Sequence, residues 1–177
     1  MRELADLARI RAFMRALGRE ADVDGVCYLT GGATAVLLGW RQTTVDVDIQ
    51  LVPETDRLLQ AIQQLKDGLQ LNVELAAPGD FIPLPAGWED RSIFAAREGA
   101  LTFYHFDLYA QSLAKLERAH ARDLMDVREL VERSLVDPAL ALSFFAQIEP
   151  ELFRFPAIDP VGFRRRVDEA FAQADDA

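Results

Sequence analysis

One cysteine, two histidines and no long apolar run among 177 residues set the first limits on this chain. The lone Cys27 forms no intramolecular disulfide, and its place in an apolar stretch is that of a buried thiol, so a reducing, cytoplasmic compartment is expected. Two histidines and one cysteine are too few for a zinc site, and His105 and His120 are read as structural residues. No segment is long and apolar enough to span a bilayer, and the opening run MRELADLARIRAFMRALG mixes acidic with basic residues, unlike a signal peptide; no membrane association is expected. Positive charge is also scarce. Nineteen Lys and Arg face 29 Asp and Glu, for a formal net charge of −10 and a pI near 4.7. That balance argues against a grip on long duplex nucleic acid, although a local basic strip can persist within an acidic whole. There is no internal repeat and no low-complexity tract.

Half of the residues are hydrophobic, enough for one compact domain with a helical appendage. Leu4, Leu7, Ile10, Met14 and Leu17 recur at helical spacing with Gly18 as a stop. Val26 to Thr30 reads as a buried strand, followed by a Gly31-Gly32 turn and a helix over Ala33 to Leu38. From Val45 the pattern alternates: Val45, Val47, Ile49 and Leu51 face a core, and Asp46, Asp48 and Gln50 face away. A helix through Leu58, Leu59, Ile62 and Leu65 leads to a second alternating run, in which Leu69, Leu71, Val73 and Leu75 oppose Gln70, Asn72 and Glu74. After an irregular Pro78 to Gly87 connection, Ser92 to Arg97 and Leu101 to Tyr109 read as a hairpin turning at Glu98-Gly99, and the remainder as three or four helices. The expected fold is α+β, a small mixed sheet flanked by helices. Residues 1–110 would form the α/β core and 111–177 a helical part packed on it as one unit.

Two carboxylates on one strand face, roughly 5 to 7 Å apart, repel by about 2 to 3 kcal/mol at an effective dielectric near 20. Asp46 and Asp48 therefore suggest a cation, since Asp-X-Asp on a strand aims both side chains at one spot where divalent ions can be bridged. A solvated edge strand with two exposed aspartates is the plain alternative. Gly-Gly by itself is only a turn, but here it precedes a helix whose first amides can approach a phosphate. Gly31-Gly32, a helix, then Asp46-Val47-Asp48-Ile49 on a strand is a far more specific combination.

These segments, Leu29-Thr30-Gly31-Gly32 and Val45-Asp46-Val47-Asp48-Ile49, resemble the signature of the nucleotidyltransferase superfamily of the DNA polymerase beta type. Within it the chain looks most like small stand-alone bacterial and archaeal proteins, including toxins of toxin-antitoxin pairs. Asn72-Val73-Glu74-Leu75, Phe81-Ile82-Pro83, Leu113 to Arg118, Arg122-Asp123 and Asp126-Val127 resemble a largely uncharacterised branch. The resemblance spans Tyr28 to Leu130 and implies transfer of a nucleoside monophosphate from an NTP to a hydroxyl on RNA, protein or a small molecule. It further implies an antitoxin or operon partner. Carried across by position, Thr30, Gly31 and Gly32 would hold the triphosphate, and Asp46 and Asp48 would ligate two Mg²⁺ ions. A third carboxylate would complete the metal site or take the acceptor's proton; Glu74 is favoured and Asp107 held in reserve.

Arg41, Thr43 and Thr44 stand in the loop entering the aspartate strand, as further phosphate contacts or as an ordinary solvated loop. Lys115, Arg118 and Arg122 fall at i, i+3 and i+7, either a solvated face paired with Glu117 and Asp126 or a basic wall in which Lys115 meets the β and γ phosphates. Trp40, Trp88 and Phe144-Phe145 are read as packing, and Arg164-Arg165-Arg166 as a charged helix face. Two rivals stand beside the transferase: a protein that keeps the fold and binds nucleotide without turnover, and a metal-dependent nuclease. The nuclease leaves the Gly-Gly turn unexplained.

Overall fold

The computed structural model describes residues 3–172; residues 1–2 and 173–177, the latter the end of the expected helical part, lie outside it. In chain order the elements are β1 (Ala5–Asp6), α1 (Leu7–Glu20), β2 (Gly25–Thr30), α2 (Gly31–Leu38), β3 (Thr43–Thr44), β4 (Asp46–Val52), α3 (Asp56–Gly68) and β5 (Asn72–Leu75). There follow a 3₁₀ turn (Pro78–Asp80), α4 (Trp88–Arg91), the hairpin β6 (Ile93–Glu98) and β7 (Leu101–His105), then α5 (Leu108–Arg118), α6 (Ala121–Glu132) and α7 (Pro138–Ile148). A second 3₁₀ segment (Glu149–Arg154) leads into α8 (Pro160–Phe171). The class is α+β, as the alternation of periods implied.

The chain divides into two compact units. One runs to Ala77 and takes in Ser92–Phe106; the other comprises Pro78–Arg91 and the chain from Asp107 onward. The sequence suggested a single boundary after residue 110, whereas the division falls at Phe106/Asp107 and assigns the Pro-rich connection to the second unit.

The first unit is built on a five-stranded mixed sheet in the order β5-β4-β2-β7-β6. Strand β4 runs antiparallel to β2 and parallel to β5, while β7 runs parallel to β2 and antiparallel to β6. One sheet face is apolar because its strand residues alternate: Cys27, Leu29, Val47, Ile49, Leu51, Val73, Leu101 and Phe103 are buried together with Ile10, Phe13 and Leu17 of α1 and Leu58 and Ile62 of α3. Capping sets where the helices begin. Asp6 accepts from the Arg9 amide at 2.9 Å to start α1, and Thr55 accepts from Leu58 at 3.2 Å to start α3.

Four local expectations are corrected by packing. Gly18 does not end α1 but lies inside it, at a point where a Cβ would stand 2.1 Å from the Glu98 carbonyl oxygen and only glycine fits. The helix and the β6–β7 turn meet backbone to backbone, and Gly99 (φ +57) is the reciprocal gap, its Cβ position only 2.3 Å from Gly18 O. Val45 is 51% exposed: β3 pairs with β1 (Ala5 opposite Thr44), the chain bends at Val45, and the buried alternation starts only at Val47. Leu75, at the end of an edge strand, is also exposed. Finally, β7 stops at His105, so Tyr109 belongs to α5.

The second unit is helical and holds its buried charges in pairs. Asp107 caps α5, accepting from Tyr109 N at 3.3 Å, and receives two hydrogen bonds from Arg91, at 3.2 and 2.8 Å. Helix α5 ends at Ala119 in the left-handed region (φ 56), so Lys115 and Arg118 sit on one helix and Arg122 on the next. The expected three-cation strip along one helix is thereby broken. Lys115 is buried, with Nζ 2.6 Å from Asp126 and 3.7 Å from Asp123, and Arg118 pairs with Asp123 at 2.6 Å. Burial pushes the Asp123 carboxyl up, but the Arg118 hydrogen bond and charge, with Lys115 and the His120 amide, hold it below its ordinary range. The packing readings of Phe144 and Phe145 agree with the structure: Phe145 stacks on Phe163, and Phe144 lies edge-on to Tyr109 beneath Arg91. Of the three arginines on α8, Arg164 pairs with Glu149 and Arg165 lies 3.9 Å from Glu169. Arg166 turns to the Leu116 and Glu117 carbonyls at 2.5 and 2.8 Å.

Gly18→Ala should cost about 1 to 3 kcal/mol, the range for overpacking against atoms that cannot move aside. Gly68→Ala, where a Cβ meets nothing within 4 Å, should be neutral or stabilising by up to about 1 kcal/mol. Urea titrations followed by circular dichroism would separate the two; equal midpoints would contradict the close approach.

Candidate functional site

Beyond its buried face, β4 presents Asp46 and Asp48 two residues apart, each partly exposed, with Val47 and Ile49 buried between and after them. The sheet register brings neighbours to this pair. Asp46 is opposite Asn72 and Asp48 opposite Glu74 on β5, while Thr30, the last residue of β2, is opposite Asp48 on the other side. Asn72 Nδ2 donates to Asp46 Oδ1 and, at 3.3 Å, to Glu74 Oε1. Sequence parity had put Asn72 on the polar face without giving it a role; its spacing from Glu74 was the available signal.

The helix N-terminus reaches the same strand. Helix α2 begins at Gly31, directly after Thr30, and Gly31 adopts φ +61, a conformation that favours glycine. A Cβ on Gly31 would stand 2.8 Å from Asp48 Oδ2, and one on Gly32 would stand 1.9 Å from Thr44 Oγ1 and 3.4 Å from Arg41 Nη1. Thr44 is buried and donates from Oγ1 to the Asp46 carbonyl at 3.0 Å. The structure thus gathers Thr30, Gly31, Gly32, Arg41, Thr44, Asp46, Asp48 and Glu74 of the sequence-derived set within the first unit. Lys115 and Asp107 belong to the second, where Lys115 is committed to Asp126 and Asp107 to Arg91 and the start of α5. Asp107 is a helix cap and not a hairpin residue, which withdraws the reason for holding it in reserve.

Among the described residues, no three His, Cys, Asp or Glu side chains are grouped so that they could hold a metal ion. Mg²⁺ needs no such cage, because it retains waters and is usually bound through one or two carboxylates plus substrate phosphates. Asp46 and Asp48 supply the hard oxygen donors that such an ion takes, and the lack of a side chain on Gly31 lets the start of α2 stand against Asp48 Oδ2. On those two observations the residues present fit the ion.

His105, at the end of β7, is buried, with Nδ1 3.1 Å from Thr34 Oγ1, and the same hydroxyl donates to Leu29 O at 3.2 Å. It ties α2 to β2 and β7, the structural role expected of it. His120 is an exposed residue at the start of α6, and Cys27 is buried, its thiol pushed well up by desolvation.

A family model described as a nucleotidyltransferase of unknown function (DUF6036) matches residues 5–141. No curated protein and no solved structure matches the chain. No helix among the described residues is long and apolar enough to cross a membrane.

Burial pulls the pKa of His105 down from 6.5 to about 4. Between those values the unfolded chain binds a proton that the folded protein refuses. Stability is therefore fully present above about pH 6.5 and is lost as pH falls toward about 4, by up to about 3 kcal/mol. Relative to wild type, His105→Gln should flatten the urea midpoint across that window; parallel profiles would assign the acid sensitivity elsewhere.

The match covers most of the chain, and the chain belongs to this nucleotidyltransferase family.

Proposed function

We propose that this family member transfers a nucleoside monophosphate from an NTP to a hydroxyl acceptor, with Mg²⁺ held by Asp46 and Asp48. The observation that carries the proposal is the approach of Gly31 to Asp48 on β4, with Gly32 against Thr44 of β3, which sets a helix N-terminus beside the carboxylate pair. An anionic triphosphate is attracted by the positive end of α2 and repelled by Asp46 and Asp48, so a cation reconciles the two. Bound Mg²⁺ would neutralise phosphate charge and align the α-phosphate.

The chain's own residues do the rest. Thr30, Gly31 and Gly32 admit the phosphates close to the backbone; Arg41 and Thr44, beside Gly32, line the same approach. Glu74, exposed and opposite Asp48, takes the proton of the acceptor hydroxyl as its oxygen bonds to the α-phosphorus and the bond to pyrophosphate breaks. Lys115 is left out of this scheme because its ammonium is neutralised within the second unit. The acceptor is a hydroxyl on RNA, protein or a small molecule, and the acidic whole disfavours long duplex nucleic acid. The buried, unpaired thiol of Cys27 fits a cytoplasmic setting, where an antitoxin-like partner would also be met.

A second reading, a protein that binds nucleotide without turnover, is favoured by the lack, among the described residues, of a preassembled three-carboxylate group. One experiment separates the two: incubation with each labelled NTP, Mg²⁺ and cell extract. Label in RNA, protein or a small molecule supports transfer; binding without label supports the second reading.

Asp46→Asn with Asp48→Asn should abolish Mg²⁺-dependent NTP binding in calorimetry while the melting temperature holds or rises, since only the exposed face of β4 changes. Unchanged affinity would discard the metal site. Glu74→Gln should lower turnover by about 10²- to 10⁴-fold, the usual worth of a positioned general base, with little effect on NTP affinity. Full activity in that variant would remove Glu74 from the mechanism.

A further inference from the structure

We infer that Asn72 is a positioning residue of this site, its carboxamide bridging Asp46 and Glu74 so that both carboxylates are set before cation or nucleotide arrives. The inference rests on the transferase reading and extends it to a residue that touches neither phosphate nor metal in that scheme. Three features on β4 and β5 support it. Asn72 is the register partner of Asp46, which places its side chain beside that carboxylate. It lies two residues before Glu74, on the same strand face. Its single amide nitrogen carries two protons, and it donates to Asp46 Oδ1 and to Glu74 Oε1. Reversing the amide would set its oxygen against two carboxylate oxygens, so the chemistry of the neighbours selects the orientation.

A neutral double donor suits this place better than the alternatives. An ammonium would compete with the divalent cation for Asp46, an aliphatic residue would leave the two carboxylates to repel one another, and an aspartate would add a further negative charge. The carboxamide supplies partial positive charge without cancelling either formal charge, so Asp46 keeps its attraction for a cation while its rotamer is restrained. Groups that hold a ligating carboxylate from outside in this way are worth ten- to hundredfold in metal affinity.

The test uses the full chain and Mn²⁺ as probe, followed by electron paramagnetic resonance, with thermal melts in chelator and in Mn²⁺. Asn72→Ala should weaken Mn²⁺ binding by about tenfold to a hundredfold. Asn72→Asp, nearly isosteric and therefore able to fold, should melt below wild type in chelator and gain more than wild type on adding Mn²⁺, a cation dependence that a purely structural residue would not produce. In the ¹⁵N spectrum of the metal-free protein, Asp46→Asn and Glu74→Gln should each shift the Asn72 side-chain amide pair. Wild-type uptake of Mn²⁺ that Asn72→Ala leaves unchanged, an Asn72→Asp melt indifferent to cation, or an amide pair unmoved by either carboxylate variant overturns this inference alone. No Mn²⁺ uptake by the wild type, either alone or with NTP present, overturns the transferase reading and this inference with it.

Discussion

The closeness with which the chain passes over itself at Gly31 and Gly32 governs the candidate site. A helix dipole acts over its first turn and little further, so α2 influences an anion near β4 only while no side chain intervenes. With Cβ positions 2.8 Å from Asp48 Oδ2 and 1.9 Å from Thr44 Oγ1, a side chain at Gly31 would turn the Asp48 carboxylate aside, and one at Gly32 would drive Thr44 from its place. Thr44 then passes the constraint on, since its hydroxyl holds the Asp46 carbonyl at the bend where β3 gives way to β4. The carboxylates are exposed for the complementary reason that Val47, Ile49 and Leu51 bury the other face of the same strand.

Charge in the second unit obeys a different constraint. Lys115, Asp123, Asp126 and Asp107 are buried, and buried charges persist only where partners and hydrogen bonds offset their desolvation. Lys115 with Asp126, Arg118 with Asp123, and Arg91 with Asp107 meet that condition. The α5–α6 corner is pinned by the first two pairs and the end of the Pro-rich segment by the third. Leaving one partner unpaired would cost more than the pair contributes. These residues are therefore read more simply as parts of a helical scaffold than as a surface for polyanions.

Much of the fold was legible from periodicity. Alternation located β4 and β5, the short apolar run before Gly31-Gly32 located β2, and helical spacing located α1 and α3. The misplaced points share a cause. Gly18 read as a stop because the carbonyl that fills its missing Cβ comes from Glu98, eighty residues away in the chain. Val45 continued the alternation in sequence but falls where β3 leaves to pair with β1. The Lys115, Arg118 and Arg122 spacing was helical only until the left-handed Ala119 ended the helix between them.

For the site, the sequence by itself determined which residue types stand where: two aspartates of one parity alternating with apolar residues, two glycines at a strand-to-helix junction, and a glutamate of polar parity on the next strand in the chain. Those are local properties, set by the two-residue repeat of a strand and by the conformations open to glycine. Tertiary structure alone decided that Asp48 lies opposite Glu74 and Asp46 opposite Asn72, that Arg41 and Thr44 close on Gly32, and that Lys115 is spent on Asp126. Register between strands, and the partner of a buried charge, are set by packing over the whole unit and by the cost of leaving a charge unpaired, neither of which is written in the spacing of a single segment.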